Sequence, residues 1–106
     1  EFNYLQNNLY IGCNDKDTLK QKLSDTQIII VIDSVFDNYT LSQTQGRFTN
    51  KDGVKTFEKR FVVTIITDCN CDIDDVYIDN NCFVLKSKLN QESILVTKEL
   101  IQASFM

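Results

Sequence analysis

The Asp52-Gly53 step in the tip Asn50-Lys51-Asp52-Gly53 is the strongest local constraint in the chain. Aspartate followed by glycine readily accepts the positive dihedrals of a tight hairpin turn, which commits the flanking segments to an antiparallel pair. On the C-terminal side, residues 56–67 read as one long strand with Phe57, Phe61, Val63 and Ile65 on a single face. Lys59 shares that face by parity, so a bulge or a long stem reaching an edge has to accommodate it. On the N-terminal side, residues 39–48 alternate loosely, and Gly46 marks a bulge or bend.

The remaining segments are read around this hairpin. Residues 5–11 form a short strand ending at Gly12, and residues 14–24 form a helix capped by Asn14 or Asp15 with Leu19 and Leu23 on one face. The branched run at 28–32 disfavours helix and suits a central strand buried on both sides. Residues 76–86 are rich in branched and aromatic side chains, and the acidic loop 68–75 should return them antiparallel to 56–67. From Asn90 onward, Leu95, Val96, Leu100, Ile101 and Phe105 fit a helix, with a strand at 94–97 as the other reading. The expected fold is α+β: a strongly curved, mostly antiparallel sheet of four to five strands with one or two packed helices. Residues 1–106 form one domain, with Glu1 and Phe2 read as a cloning-junction remnant.

Composition then narrows function. The chain has no histidine, which removes the commonest general base, the triad base and the commonest metal ligand together. The expectation is therefore no enzyme: no catalytic residue, no cofactor and no metal. Cysteines fall at 13, 69, 71 and 82, and the Cys69-Asn70-Cys71 spacing is too tight for a zinc knuckle, so free thiols are expected. Asp68, Asn70, Asp72, Asp74 and Asp79 match the ligand register of a calcium loop, but Ile73 occupies its glycine position and no glutamate closes it. A solvated connecting loop is the reading. The Asn38-Tyr39-Thr40 sequon is read as a turn. No apolar run approaches the ~18 residues that span a bilayer, so no membrane partner is expected.

A net charge of −4 argues against a phosphate-binding domain. Charge is nevertheless segregated, with Arg47, Lys51, Lys55, Lys59 and Arg60 in one stretch and aspartates from Asp68 to Asp79 in another. Two solvated loops, or a bipolar docking surface, follow from that. The basic stretch with Phe48 and Phe57 interleaved also gives an alternative reading as a single-stranded nucleic-acid binder.

Several segments, in order, resemble nuclear-transport-factor-2-like domains. They are Gly46-Arg47-Phe48, Asp52-Gly53, Phe57-Glu58-Lys59-Arg60-Phe61-Val62-Val63 and Tyr77-Ile78-Asp79-Asn80-Asn81-Cys82-Phe83. They look like that family's glycine-bearing strand, its Phe-x-x-x-Phe strand and its closing strand, most similar to the dimerising domains of messenger-RNA nuclear export receptors. The resemblance implies a cone-like sheet, here lacking the family's opening helices, whose bare apolar face pairs with a related chain or a second copy. It further implies contact with phenylalanine-glycine nucleoporins and residence in the nucleus or cytoplasm. Phe57, Lys59, Phe61, Tyr77, Asn80 and Phe83 are the expected interface, on two strands. The superfamily also implies an alternative: a small-ligand isomerase or dehydratase, with Asp33 and Asp79 as acid and base.

Overall fold

The computed structural model describes residues 3–49, 52–69, 72–104 and 106, and all but the side chain of Phe48 among them. The elements run β1 (Tyr4–Gly12), α1 (Asp25–Val35), β2 (Thr40–Thr49), β3 (Lys55–Asp68), α2 (Asp72–Lys88) and β4 (Leu95–Ile101). The strands form a sheet in the order β2-β3-β1-β4, with each neighbouring pair antiparallel. Each helix thus connects two strands separated by a third, which is the split β-α-β, or ferredoxin-like, arrangement. The fold is α+β, as the sequence implies, with four strands and two helices.

Strand parity assigns the faces. Leu9 and Ile11 of β1 sit opposite Val63 and Phe61 of β3, and all four are buried. Against them pack Ile28, Ile32 and Phe36 from the first helical segment, and Ile78, Cys82, Leu85 and Leu89 from the second. Both helices therefore cover the same side. Asn7 lies in this core, where its Nδ2 donates to the Ile65 carbonyl at 3.0 Å and to Thr67 Oγ1 at 2.9 Å, fixing β1 against β3. A one-residue slip would break both bonds and turn Leu9 and Ile11 outward.

Residues 28–32 are helical, not a central strand. Ser24 opens α1 with a capping box: its Oγ accepts from Gln27 N at 3.2 Å while Gln27 Oε1 accepts from Ser24 N at 2.8 Å. The branched run loses only a few tenths of a kcal/mol per residue by being helical, against about 1.5–3 kcal/mol for each buried isoleucine. Ile28 and Ile32, one turn apart, supply that burial, while Ile30 is left outside.

Residues 76–86 are also helix and not a strand paired with 56–67. The spacing of Ile78, Cys82, Leu85 and Leu89 follows the helical period, and acidic residues in the first turn and Lys86 and Lys88 in the last complement the helix dipole. The segment from Asn90 reverses the expectation in the other direction, because Leu95–Ile101 pairs along β1 as an edge strand. Residues 14–24 form no helix: Asp15 Oδ2 accepts from Asp17 N and Thr18 N, but Leu19 then turns left-handed at φ 60° and stops propagation. The bare apolar sheet expected to drive association is absent, since that face is covered by α1 and α2.

N-terminal to Arg60, β3 is no longer paired with β1 and pairs with β2 alone as a hairpin arm. The radius of gyration is 14.9 Å, against about 13 Å for a compact domain of this size, and the long axis is 44 Å. The expected tip lies at Asn50 and Lys51, outside the described residues; Gly53 has φ 78°, as a tight turn requires.

Candidate functional site

The uncovered face of the sheet is polar, and at the base of the arm it forms a cleft of 350 Å³. Its walls come from β1 (Tyr10, Gly12), β3 (Thr56, Glu58, Arg60), Leu95 of β4 and the loops holding Asn14–Leu19 and Gln91–Ser93. Gly12 lines it, and Gly46 leaves room for the Arg60 side chain on its wall. A Cβ on Gly12 would lie 2.5 Å from Glu58 Oε1 and 2.8 Å from Gln91 Oε1, so only glycine lets these side chains converge over the strand. A Cβ on Gly46 would come within 3.0 Å of the Arg60 guanidinium, which lies over the Tyr10 ring at 5.3 Å from its centroid.

The polar groups are pinned. Glu58 Oε2 accepts from Asn14 N at 2.9 Å, and Gln91 Nε2 donates to the Asn14 carbonyl. The adjoining loop is wound around the Asp15 carboxylate, which accepts from Asp17 N at 3.0 Å, Thr18 N at 3.1 Å and Asn90 Nδ2 at 2.8 Å. The Asn90 hydrogen bond is the main cause that holds this carboxyl below the usual carboxylate range; the Thr18 and Asp17 amides and Lys22 add to it. Asn90 itself ends α2 in the left-handed region, at φ 49°, and so anchors helix and loop together.

Leu19 is the apolar counterpart. It is left-handed, more than half exposed, and faces the cleft. Strain of that kind costs a non-glycine residue about 1–3 kcal/mol and persists only where surrounding contacts over-determine it. Here the Leu19 amide donates to the Asp15 carbonyl at 2.8 Å, and Asp15 N to Lys20 O at 2.8 Å. The cleft thus has an apolar wall of Tyr10, Leu19 and Leu95 above a floor of carboxylate and amide groups.

Of the residues expected from sequence to form an interface, few come together. Phe61 is buried in the core, and Lys59 reaches Asp25 at the start of α1, which accounts for its place on the apolar face. That pairing is the largest cause of the lowered Asp25 pKa. Phe57 stands exposed on the arm. Tyr77, Asn80 and Phe83 lie on α2 rather than on a neighbouring strand; Tyr77 meets Phe36 edge to face at 6.2 Å, while Asn80 and Phe83 are exposed.

The other candidates also separate. Asp33 and Asp79 are exposed on different helices, and Asp33 accepts from the Tyr39 hydroxyl at 2.9 Å. Among the basic residues, Arg47 and Lys55 remain on the arm, Arg60 projects to the opposite face, and Lys51 lies outside the described residues. Asp72 and Asp74, expected in a loop, and Asp79, expected on a strand, ride on α2, and Asn70 and Cys71 are outside the described residues. Cys13 and Cys82 are buried thiols whose pKa values desolvation pushes up to about 11, which removes them as nucleophiles.

Glu58, Gly12, Gln91 and Leu19 were not singled out from sequence as site residues. Parity in β3 already places Glu58 and Arg60 opposite Phe57 and Phe61, and that was the available signal. The approach of Gln91 and the loop carries no local signature.

No family model and no curated protein matches the chain. A phage SAM lyase solved in complex with S-methyl-5'-thioadenosine has the same fold, with a TM-score of 0.68 and 15% identity over 94% of this chain and 83% of that one. This corrects the expectation that the chain is no enzyme. The same fold is that of an enzyme there, and a missing histidine removes only the commonest general base and not every route to catalysis.

Proposed function

We propose that the chain is a small-ligand enzyme of the lyase type, acting on a nucleoside sulfonium in the outer-face cleft. The observation that carries this is the convergence of Glu58 and Gln91 over Gly12, beside the Tyr10–Arg60 stack, in a cleft large enough for a nucleoside. The ligand of the phage enzyme supports the choice of substrate class. A purine would lie along Tyr10, Leu19 and Leu95, and the Glu58 carboxylate would accept from the ribose hydroxyls. Glu58, Glu92 and Asp15 outweigh Lys16 and Arg60 around the cleft, which favours a cationic sulfonium. Lys16 at the rim offers a partner to the carboxylate of the amino-acid end.

The chemistry fits a chain without imidazole. As an oxygen of the substrate's own carboxylate forms a bond to the carbon next to the sulfonium and closes a lactone, the carbon–sulfur bond breaks, its electron pair stays on sulfur and the leaving group departs as a neutral thioether. No general acid has to protonate it. The site needs only to orient the substrate and strip water from the cation.

The test is incubation with SAM, with chromatography of the products and calorimetry with S-methyl-5'-thioadenosine. Protein-dependent loss of SAM and appearance of the thioether are expected, and Glu58→Gln should slow turnover by at least about tenfold. Absence of both turnover and thioether binding overturns the reading.

A further inference from the structure

The molecule carries two exposed aromatic surfaces of opposite charge, one on the arm and one along α2. On the arm, Phe57 is 66% exposed and lies directly across from Arg47, with Lys55 two residues away on the same face. This face continues the helix-covered side past Lys59, where that side chain meets Asp25 at the start of α1. On α2, Ile73 is 78%, Val76 58% and Phe83 70% exposed, and their spacing places them along one outward stripe. Asp72 and Asp79 lie along one edge of it. Among the described residues, none of these four charged side chains is in an ion pair, whereas Asp75 is taken by Lys98.

β3 runs from the arm at Lys55 to Asp68, and α2 starts just beyond Asp68 and runs back towards the base of the arm, so the stripe begins at the end opposite the arm and extends along the flank of the molecule. We propose that copies of this chain associate head to tail. Phe57 of one copy, with Arg47 and Lys55 beside it, seats on the α2 stripe of the next, next to the edge that carries Asp72 and Asp79. Each copy offers one surface and uses the other, so the contact is heterologous and closes into a ring or runs on as a filament according to its rotation. Contiguous exposed apolar side chains of this kind are costly to leave in water. A polyanion is the poorer occupant, because Lys59 is neutralised by Asp25 and Arg60 faces the other side, which leaves no continuous basic track among the described residues.

The experiment is sedimentation velocity on the full chain across a concentration series at low and high salt. Concentration-dependent association that weakens with salt is expected. Arg47→Glu with Lys55→Glu, and separately Asp72→Lys with Asp79→Lys, should each weaken it at least about tenfold. Mixing the two variants should restore association, because reversed arm then meets reversed helix and each native surface finds its native complement. All four positions are exposed, and circular dichroism verifies that the variants remain folded. A monomer at every concentration, failure of the mixture to associate, or a monomer that instead binds heparin through Arg47 and Lys55 overturns the proposal.

Discussion

The two faces of the sheet are built from the same strands and answer to different demands. On the helix-covered face, Leu9, Ile11, Phe61, Val63 and Ile65 meet two helices, and almost every polar group has been excluded. On the open face, Tyr10, Glu58 and Arg60 are held in place by glycine, by a neighbouring ring and by a backbone amide. The first face is specified by volume and parity. The second is specified by where glycine permits close approach. Stability and ligand recognition should therefore separate cleanly between them.

The sharpest separation is expected from truncation. Ile32 is fully buried between α1 and the sheet, and Ile32→Ala should cost about 2–5 kcal/mol. Thr44, exposed on β2 with its side chain on the open face, should change stability by less than about 0.5 kcal/mol when replaced by Ala. Urea midpoints at constant slope measure both. Similar losses at the two positions would mean that the open face is buried in solution.

The same two faces also separate by pH. The thiols of Cys13 and Cys82 are raised from 9.0 to about 11 by burial, so the unfolded chain gives up these protons first as pH rises. Their contribution is complete below pH 9 and is lost on passing through 11, by roughly 2–3 kcal/mol per thiol at the limit. Asp15, beside the cleft, has the opposite sign. Its lowered folded pKa gives stability above the ordinary carboxylate value that is lost as pH falls below it. Alkaline unfolding that Cys13→Ala with Cys82→Ala leaves unmoved would contradict the core half; an acid transition that Asp15→Asn leaves unmoved would contradict the cleft half.

The strands at β1, β2 and β3 were legible because alternation and the Asp52-Gly53 turn are local signals. The helices were not, for a physical reason. A run such as 28–32 satisfies both a buried strand and a buried helix, and what decides is the Ser24–Gln27 capping box just upstream together with the partner surface. In α2 the buried residues are diluted by Tyr77, Phe83 and Val84 on exposed positions, so the aromatic and branched content pointed to strand while the period pointed to helix. The nuclear-transport resemblance drew on Tyr77 to Phe83 as a closing strand, and that segment is α2. The cleft was least legible, because Gly12 reads as a strand end until Glu58 and Gln91 are seen to need its missing Cβ.

Leu19 gives the smallest change in stability and the most specific change in binding. Its left-handed backbone costs about 1 kcal/mol that glycine would not incur, while glycine adds a comparable amount of entropy to the unfolded chain. Leu19→Gly should therefore leave the urea midpoint nearly unchanged. Its side chain, though, is already largely exposed in the free protein, so under the proposed function its contacts with a bound purine would be gained only in the complex. Calorimetry should then show affinity for S-methyl-5'-thioadenosine falling by about fivefold to tenfold. Unchanged affinity would place the ligand away from this wall. A large loss of stability would mean that the leucine is held for the fold and not for the cleft, because on the helix-covered face removal of a leucine is felt in folding, and on this face it should be felt only by what binds.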